Sequence, residues 1–356
     1  MIHMRVTLVP NFQLEYSIQL ANGLTEFVDV TLVVWDGLAP ELIGLVDRRV
    51  TLFRCGNPGQ MVGQRIVNEA RISLFLRADC CDVVHFQNAY IWRVPVLAAL
   101  RRKKCVVTIH DPRPHFGLAD PWSFLATAMH SIRADALVTL GPRQRELFLT
   151  RFNVEPRNVF VIPHGEFSFL NQFASESSSG EPTVLFIGRI APYKGLDYFL
   201  RSIPRIAQRV PTSRFRIVGA GDIRPYRSLI QDATRLEIEN VAVTVEQVAR
   251  EIGRATVIVV PYVEASQSGV VVAAQSLGRP VVVSDVGGLS DDVLPDETAV
   301  LVRPKDPAAI ADAVVSLLED PKRREAMARR AKEWMTTSRS WRSIARSTVG
   351  LYEALT

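Results

Sequence analysis

The sequence predicts an α/β protein built as two doubly wound parallel sheets, and three observations carry this. Short apolar runs alternate with longer stretches of helical period, the alternation occurs in two successive series, and a serine-rich stretch separates the series. The length of 356 residues exceeds the usual size of one hydrophobic core, so two domains are expected.

The first series of strand-like runs is RVTLVP, VDVTLVVW, CDVVHF, KCVVTIH and ALVTL, and the second is TVLFIGR, FRIVGAG, NVAVTV, TVIVVPY, PVVVSD and AVLVRP. Between them Ser175, Ser177, Ser178, Ser179 and Gly180 precede Pro182 and read as a linker. After the last strand come three helical pieces, DPAAIADAVVSLLED, PKRREAMARRAKEWM and SWRSIARSTVGLYEAL, with Pro321 separating the first two. The expected organisation is a first domain over residues 1–170, a second over 171–338, and a closing helix over 339–356 that returns to the first. Its apolar positions Trp341, Ile344, Val349 and Tyr352 approximate a stripe that must be buried somewhere.

Composition narrows the function classes. Hydrophobic residues make up 47% and charged residues 22%, and no run reaches the roughly 18 apolar residues of a membrane span, so neither disorder nor a spanning helix is expected. The N-terminal MIHMRVTLVPNFQLEY lacks a secretory pattern, giving the expectation of a cytoplasmic protein. Cys55, Cys80, Cys81 and Cys105 show no CxxC pairing, so reduced thiols are expected rather than a zinc site or a disulfide framework. A net charge of +5 suits anionic ligands. The run Arg101-Arg102-Lys103-Lys104 suits a solvated helix end or a peripheral contact with acidic headgroups at the inner membrane face. No zinc-finger, RNP or basic–aromatic pattern supports nucleic-acid binding.

In parallel α/β sheets ligands bind outside the carboxyl ends of the strands. Four such places stand out in the second half. GRIAPYKG, residues 188–195, sets Arg189 and Lys194 around a short loop before a helix, with Gly188 at the strand end; two cations and a helix start suit a diphosphate or, equally, a solvated basic loop. VGAGD carries Gly219 at a turn where a backbone can approach a ligand closely. VTVEQV follows a strand-like run with Glu246, which could be an ordinary carboxylate at a helix start. In PYVEASQSGVVVAAQSLGRPVVVSDVGGL, Ser266, Gln267, Ser268 and Gly269 stand before a helix, where the N–H groups of Gly269 and Val270 could donate to phosphate oxygens; a plain capping loop reads the same way.

Together, over residues 183–306, these places resemble the donor domain of retaining glycosyltransferases of family 4. The resemblance implies the GT-B fold, two Rossmann-like domains facing a cleft. It maps diphosphate binding onto Arg189 and Lys194. The family's two glutamates, with seven residues between them, fall at Ala265 and Ala273, so the sugar must be gripped differently; Glu264 is the nearest carboxylate and the candidate substitute. In the first half, His110 in VVTIHDPRPHFG resembles a family histidine close to the transferred sugar, followed by Asp111. His85, after CDVV, is a lesser candidate, and His115 reads as part of a loop. VIPHGEF resembles the family's turn at the end of the first domain. Asn11, Gln13 and Glu15, where the family often has paired glycines, are expected to shape an acceptor pocket.

The reaction implied is transfer of a sugar from a UDP or GDP sugar to a hydroxyl of a sugar, lipid-linked or small-molecule acceptor, with retained configuration. Neither a cofactor nor a metal is expected, since the cations can stabilise the leaving diphosphate and no Asp-x-Asp pair is present. A non-catalytic nucleotide-sugar-binding or scaffold protein is the alternative that the two alanines motivate. A nucleotide-sugar epimerase would need a water-activating carboxylate or histidine set that the sequence does not display.

Overall fold

The computed structural model describes residues 4–11, 14–56, 62–112, 121–174, 180–231, 233 and 235–356. The serines of the expected linker, Gln13 and His115 lie outside the described residues. Two compact units result, one from the residues up to Gly165 together with Ser340–Thr356, the other from Glu166–Arg339.

The first unit runs β1 (Arg5–Pro10), α1 (Leu14–Leu24), β2 (Asp29–Val34), α2 (Pro40–Ile43), β3 (Thr51–Arg54), α3 (Val62–Ala78), β4 (Val83–Gln87), two short 3-10 turns, β5 (Lys104–Ile109), α4 (Pro121–Arg133), β6 (Ala136–Thr139), α5 (Pro142–Arg151) and β7 (Val159–Val161). Among the described residues its strands form a parallel sheet of order β3-β2-β1-β4-β5-β6-β7. The chain reverses direction across the sheet between β1 and β4, the crevice-forming point of a doubly wound fold.

The second unit runs β8 (Thr183–Ile187), α6 (Leu196–Arg209), β9 (Arg214–Val218), α7 (Arg227–Gln231), β10 (Leu236–Glu239), α8 (Val245–Arg254), β11 (Val257–Val260), α9 (Gly269–Ser276), β12 (Val281–Ser284), β13 (Val300–Val302), α10 (Pro307–Glu319) and α11 (Pro321–Ser338). Its described strands form a second parallel sheet, β10-β9-β8-β11-β12-β13, with the corresponding switch between β8 and β11. The last helix, α12 (Trp341–Leu355), belongs to the first unit. Its Trp341, Ile344, Ala345, Val349 and Tyr352 share one buried cluster with Tyr16, Leu20 and Leu24 of α1.

Central strands such as VIVV of β11 and VVVS of β12 are buried along their whole length. Helices cover both faces of each sheet, and burying each Val, Leu or Ile side chain contributes about 1.5–3 kcal/mol. The run NVAVTV is not a strand. Its place at the sheet edge is taken by the preceding LEIE, whose Glu237 and Glu239 accept from Arg216 on β9 at 3.0 and 2.7 Å. Val241 of the expected run is exposed, and Thr244 instead caps α8 through a reciprocal pair with Gln247.

Candidate functional site

At the carboxyl end of β8 the backbone turns at Gly188, whose α-carbon faces the Val270 side chain in α9. Arg189 is exposed, and Pro192–Lys194 forms one 3-10 turn. Gly195 ends that turn at φ +65°, and a Cβ there would stand 2.0 Å from the Pro261 carbonyl oxygen, so only glycine lets the loop lie against the segment that leaves β11. The Val263 N–H donates to the Tyr193 carbonyl at 2.9 Å, tying the same two segments together.

This closure fixes Lys194. Its Nζ lies 3.8 Å from the centroid of the Tyr262 ring and 5.1 Å from that of Tyr193. Tyr262 is 1% exposed, so the ammonium rests on a ring face shielded from water, where attraction to the ring is strongest. Ser268 donates from Oγ to the Tyr262 hydroxyl at 3.2 Å. Ser268 is also the N-cap of α9, yet its side chain makes no capping bond. The first N–H groups of α9, those of Gly269 and Val270, are therefore not satisfied by their cap, and the positive end of the helix opens beside the basic loop.

Ser266 is buried, and the Nε2 of Gln267 is a buried donor without a protein partner. Glu264 is half-buried in the same loop. Ala265 and Ala273 are both core residues, 5% and 3% exposed. Gly219 ends β9 directly against the Gly188 carbonyl. Glu246 sits in the first turn of α8, which follows a loop and not a strand, and is paired with Arg250 one turn on at 2.7 Å. The structure thus brings Gly188, Lys194, Ser268, Gly269 and Val270 together, and leaves Glu246 in an ion pair within its own helix. Tyr262 is the residue sequence reasoning passed over. It stands immediately beyond an apolar strand, the position rule that singled out the others.

In the first unit, His110 follows β5 and is 1% exposed. Its Nε2 meets Gln87 Oε1 at 3.3 Å, its ring stands edge-on to Tyr16 at 4.9 Å, and its own carbonyl accepts from Gln144 Nε2 at 2.6 Å. Burial, reinforced by the neighbouring His164, pushes its pKa down to about 3, so the imidazole is neutral at physiological pH. With the amide oxygen of Gln87 as its partner, Nε2 carries the proton, and Nδ1 is left as an acceptor with no protein partner. His85 is buried too. Its nitrogens meet Tyr352 Oη at 2.6 Å and Thr108 Oγ1 at 2.7 Å, binding β4 and β5 to α12, which gives this ring a structural setting. Asn11, Glu15 and Asp111 are half-buried at or near the carboxyl ends of β1 and β5.

The profile described as Glycosyltransferase Family 4 matches residues 15–165, and that described as Glycosyl transferases group 1 matches residues 181–320. A glycosyltransferase of Methanocaldococcus jannaschii is 32% identical over 61% of this chain, which spans 59% of that relative's length. Among solved structures, sucrose-phosphate synthase of Thermosynechococcus elongatus superposes with a TM-score of 0.75 at 21% identity, covering 99% of both chains. An Anabaena protein crystallised with UDP-glucose does so at 0.74 and 16% identity, covering 99% of this chain and 100% of its own. The paired sheets, the matched profiles and these likenesses agree: the chain belongs to the group 1 glycosyltransferases of family 4 and has their GT-B fold.

Proposed function

We propose that the protein transfers a sugar from a nucleotide-diphosphate sugar to a hydroxyl acceptor, with the donor diphosphate held in the second unit. The observation that carries this reading is Lys194, immobilised on the buried Tyr262 ring beside the start of α9, whose cap residue bonds the same tyrosine. A fixed cation next to unsatisfied helix N–H groups is suited to an anion whose charge grows as it departs. Arg189, exposed at the start of the same loop, is assigned the second cationic contact.

His110 is assigned to the reacting sugar. A neutral imidazole with an unengaged Nδ1 can accept a hydrogen bond from a sugar hydroxyl without placing a full positive charge near an oxocarbenium-like centre. Transfer with retained configuration and without a divalent ion is part of the reading, since the two cations can neutralise the leaving group. UDP is the first base to test, because the Anabaena structure was solved with UDP-glucose. The acceptor is a sugar, lipid-linked or small-molecule hydroxyl, with Asn11, Glu15 and Asp111 on its side. A cytoplasmic protein in peripheral contact with the inner membrane face accords with a lipid-linked acceptor.

Ala265 and Ala273 favour a second reading, a protein that binds nucleotide sugar without turning it over. One experiment separates the two. Each of UDP-, GDP- and ADP-linked sugars is tested for thermal stabilisation and for nucleotide release with candidate acceptors. A donor present at about 100 times its Kd stabilises by about 2.7 kcal/mol. Stabilisation with release supports transfer; stabilisation without release under every acceptor supports the binding protein; no stabilisation by any nucleotide sugar rejects both.

A further inference from the structure

Large apolar side chains left in water concentrate on two helices of the first unit. On α4, Trp122, Leu125, Met129 and Ile132 are 61%, 42%, 39% and 86% exposed. Their spacing of three, four and three residues puts them on one stripe along the outer side of the helix. On α3, Val62, Ile66 and Leu74 are 55%, 55% and 65% exposed, at four- and eight-residue intervals. The inner sides of both helices are ordinarily packed: Ile72 and Leu76 of α3, with Ala128 of α4 at the margin, lie in the cluster covering one face of the sheet. The two helices are thus on the same face, and the turn Ile91–Arg93 lies between them in contact with both.

Among the described residues the outward charges of the two helices are basic, with Arg133 at the end of α4 paired to Asp135 at 3.3 Å. The only acid of α3, Glu69, is buried against Arg93, and α4 contains none. Arg71 and Arg77 of α3 are exposed. The basic loop Arg101–Lys104 joins the C-terminal ends of the two helices. Arg133, closing α4, donates to the Lys103 carbonyl at 3.1 Å, and Lys103 Nζ donates to the carbonyls of Asp79 and Cys81 beyond α3.

We propose that the outer faces of α3 and α4, with the basic loop between their ends, form a surface that docks on an anionic lipid bilayer. Apolar side chains including a tryptophan, edged by arginines, match an interface whose outer layer is anionic and whose inner layer is hydrocarbon. A second copy of the chain is a poorer occupant, because a two-fold contact would set this predominantly basic face against itself and oppose exposed arginine to arginine. The surface is argued independently of the transfer reaction, so its failure would leave the donor site as it stands.

The test is co-sedimentation of the full chain with phosphatidylglycerol–phosphatidylcholine vesicles and with pure phosphatidylcholine vesicles. The protein should bind the first and not the second, and binding should weaken as salt rises. Leu125→Asp with Ile132→Asp should lower the partition coefficient at least about tenfold, and Arg77→Glu with Arg102→Glu at least about 25-fold, from about fivefold for each of the two basic charges removed, with repulsion by the added carboxylates on top. All four positions are exposed or nearly so, and unchanged circular dichroism and donor-induced thermal shift would exclude misfolding. Absence of binding to anionic vesicles at low salt would overturn the proposal, as would binding that both double variants retain. A monomer–dimer equilibrium in sedimentation velocity that the apolar variant abolishes, without vesicle binding, would assign the face to a second copy instead.

Discussion

Replacing Lys194 by Met removes the ammonium while keeping most of the side chain's apolar stem. The ammonium sits 3.8 Å from a ring centre that is itself buried, an attraction of about 1–2 kcal/mol. That attraction exists in the free protein as well as in the complex, so it largely cancels from kcat/KM. What remains is the charge-assisted contact to the diphosphate, about 1.5–3 kcal/mol, or roughly 10- to 150-fold in kcat/KM. Tyr262→Phe keeps the ring face and loses only the hydroxyl that accepts from Ser268, so its effect should stay below about fivefold. The assay is initial-rate nucleotide release on the donor identified by thermal shift, with calorimetric titration of the free nucleotide diphosphate alongside. Arg189→Ala with Lys194→Ala should cost about 3–6 kcal/mol. Full activity in Lys194→Met would refute the assignment of this loop to the diphosphate.

Gly195→Ala places a Cβ 2.0 Å from the Pro261 oxygen at φ +65°, so it should lower the stability of the second unit by about 1–3 kcal/mol and loosen Lys194 from Tyr262; an unchanged Tm would contradict that packing. His110→Ala should depress kcat more than nucleotide affinity, and normal single-turnover chemistry at saturating donor would remove the histidine from the reacting centre. Stability should fall as pH drops below about 6.5. His85 and His110 are pushed down to about 3 and His130 to about 4 by burial, so the unfolded chain takes up these protons first. Asp292 acts in the opposite sense: burial raises it to about 7 against the opposing Arg339, so the folded form is the one that gains its proton between about pH 7 and 4. Three histidines against one aspartate leave a slope of at most about 2.7 kcal/mol per pH unit near pH 5, reduced further by Glu69, which burial also raises. Urea unfolding at pH 5 and 6 measures it, and greater stability at pH 5 would reverse the argument.

The central strands were legible in the sequence because a parallel strand buried on both faces reads as an unbroken apolar run. The edges were not. β3 is TLFR and β10 LEIE, each mixing in polar residues that one open side allows, and β7 is VFV, too short to show a period. NVAVTV misled for the converse reason: its alternating valines have the strand period, while Thr244 and Gln247 spell a helix cap that overrides it. The start of α9 at Gly269 could be read from Ser268 before an apolar stretch. The ring beneath Lys194 could not, since Tyr262 and Lys194 are 68 positions apart and meet only because Gly195 lets two loops touch. The neutral state of His110 likewise depends on Tyr16, Gln87 and His164, which come from three other segments.

The alanines at 265 and 273 raise the question of what could grip the sugar. Both lie in the same hydrophobic cluster as Leu185, Val260 and Leu289. The Ala265 and Ser266 carbonyls pack where any Cβ on Gly287 or Gly288 would stand, at 1.7 and 2.1 Å, so this loop rests directly on the glycine pair's backbone. A carboxylate introduced at either alanine would enter an apolar environment without a partner and would be strongly disfavoured as an anion. Restoring the family's glutamates one at a time should therefore destabilise this protein, by several kcal/mol for Ala273→Glu, and should not raise its activity. On the proposed reading, recognition of the sugar falls to polar groups on the same loop whose hydrogen-bonding capacity is not used up inside the protein. Gln267 fits best, since its amide nitrogen is buried and unpartnered, a state that costs about 1–3 kcal/mol unless a ligand oxygen relieves it. Gln267→Leu should be neutral or stabilising for the free protein, should leave the affinity for free nucleotide diphosphate unchanged, and should raise KM for the sugar-bearing donor about tenfold or more. Equal losses for nucleotide and nucleotide sugar would assign Gln267 to the diphosphate, and no loss for either would remove it from the site.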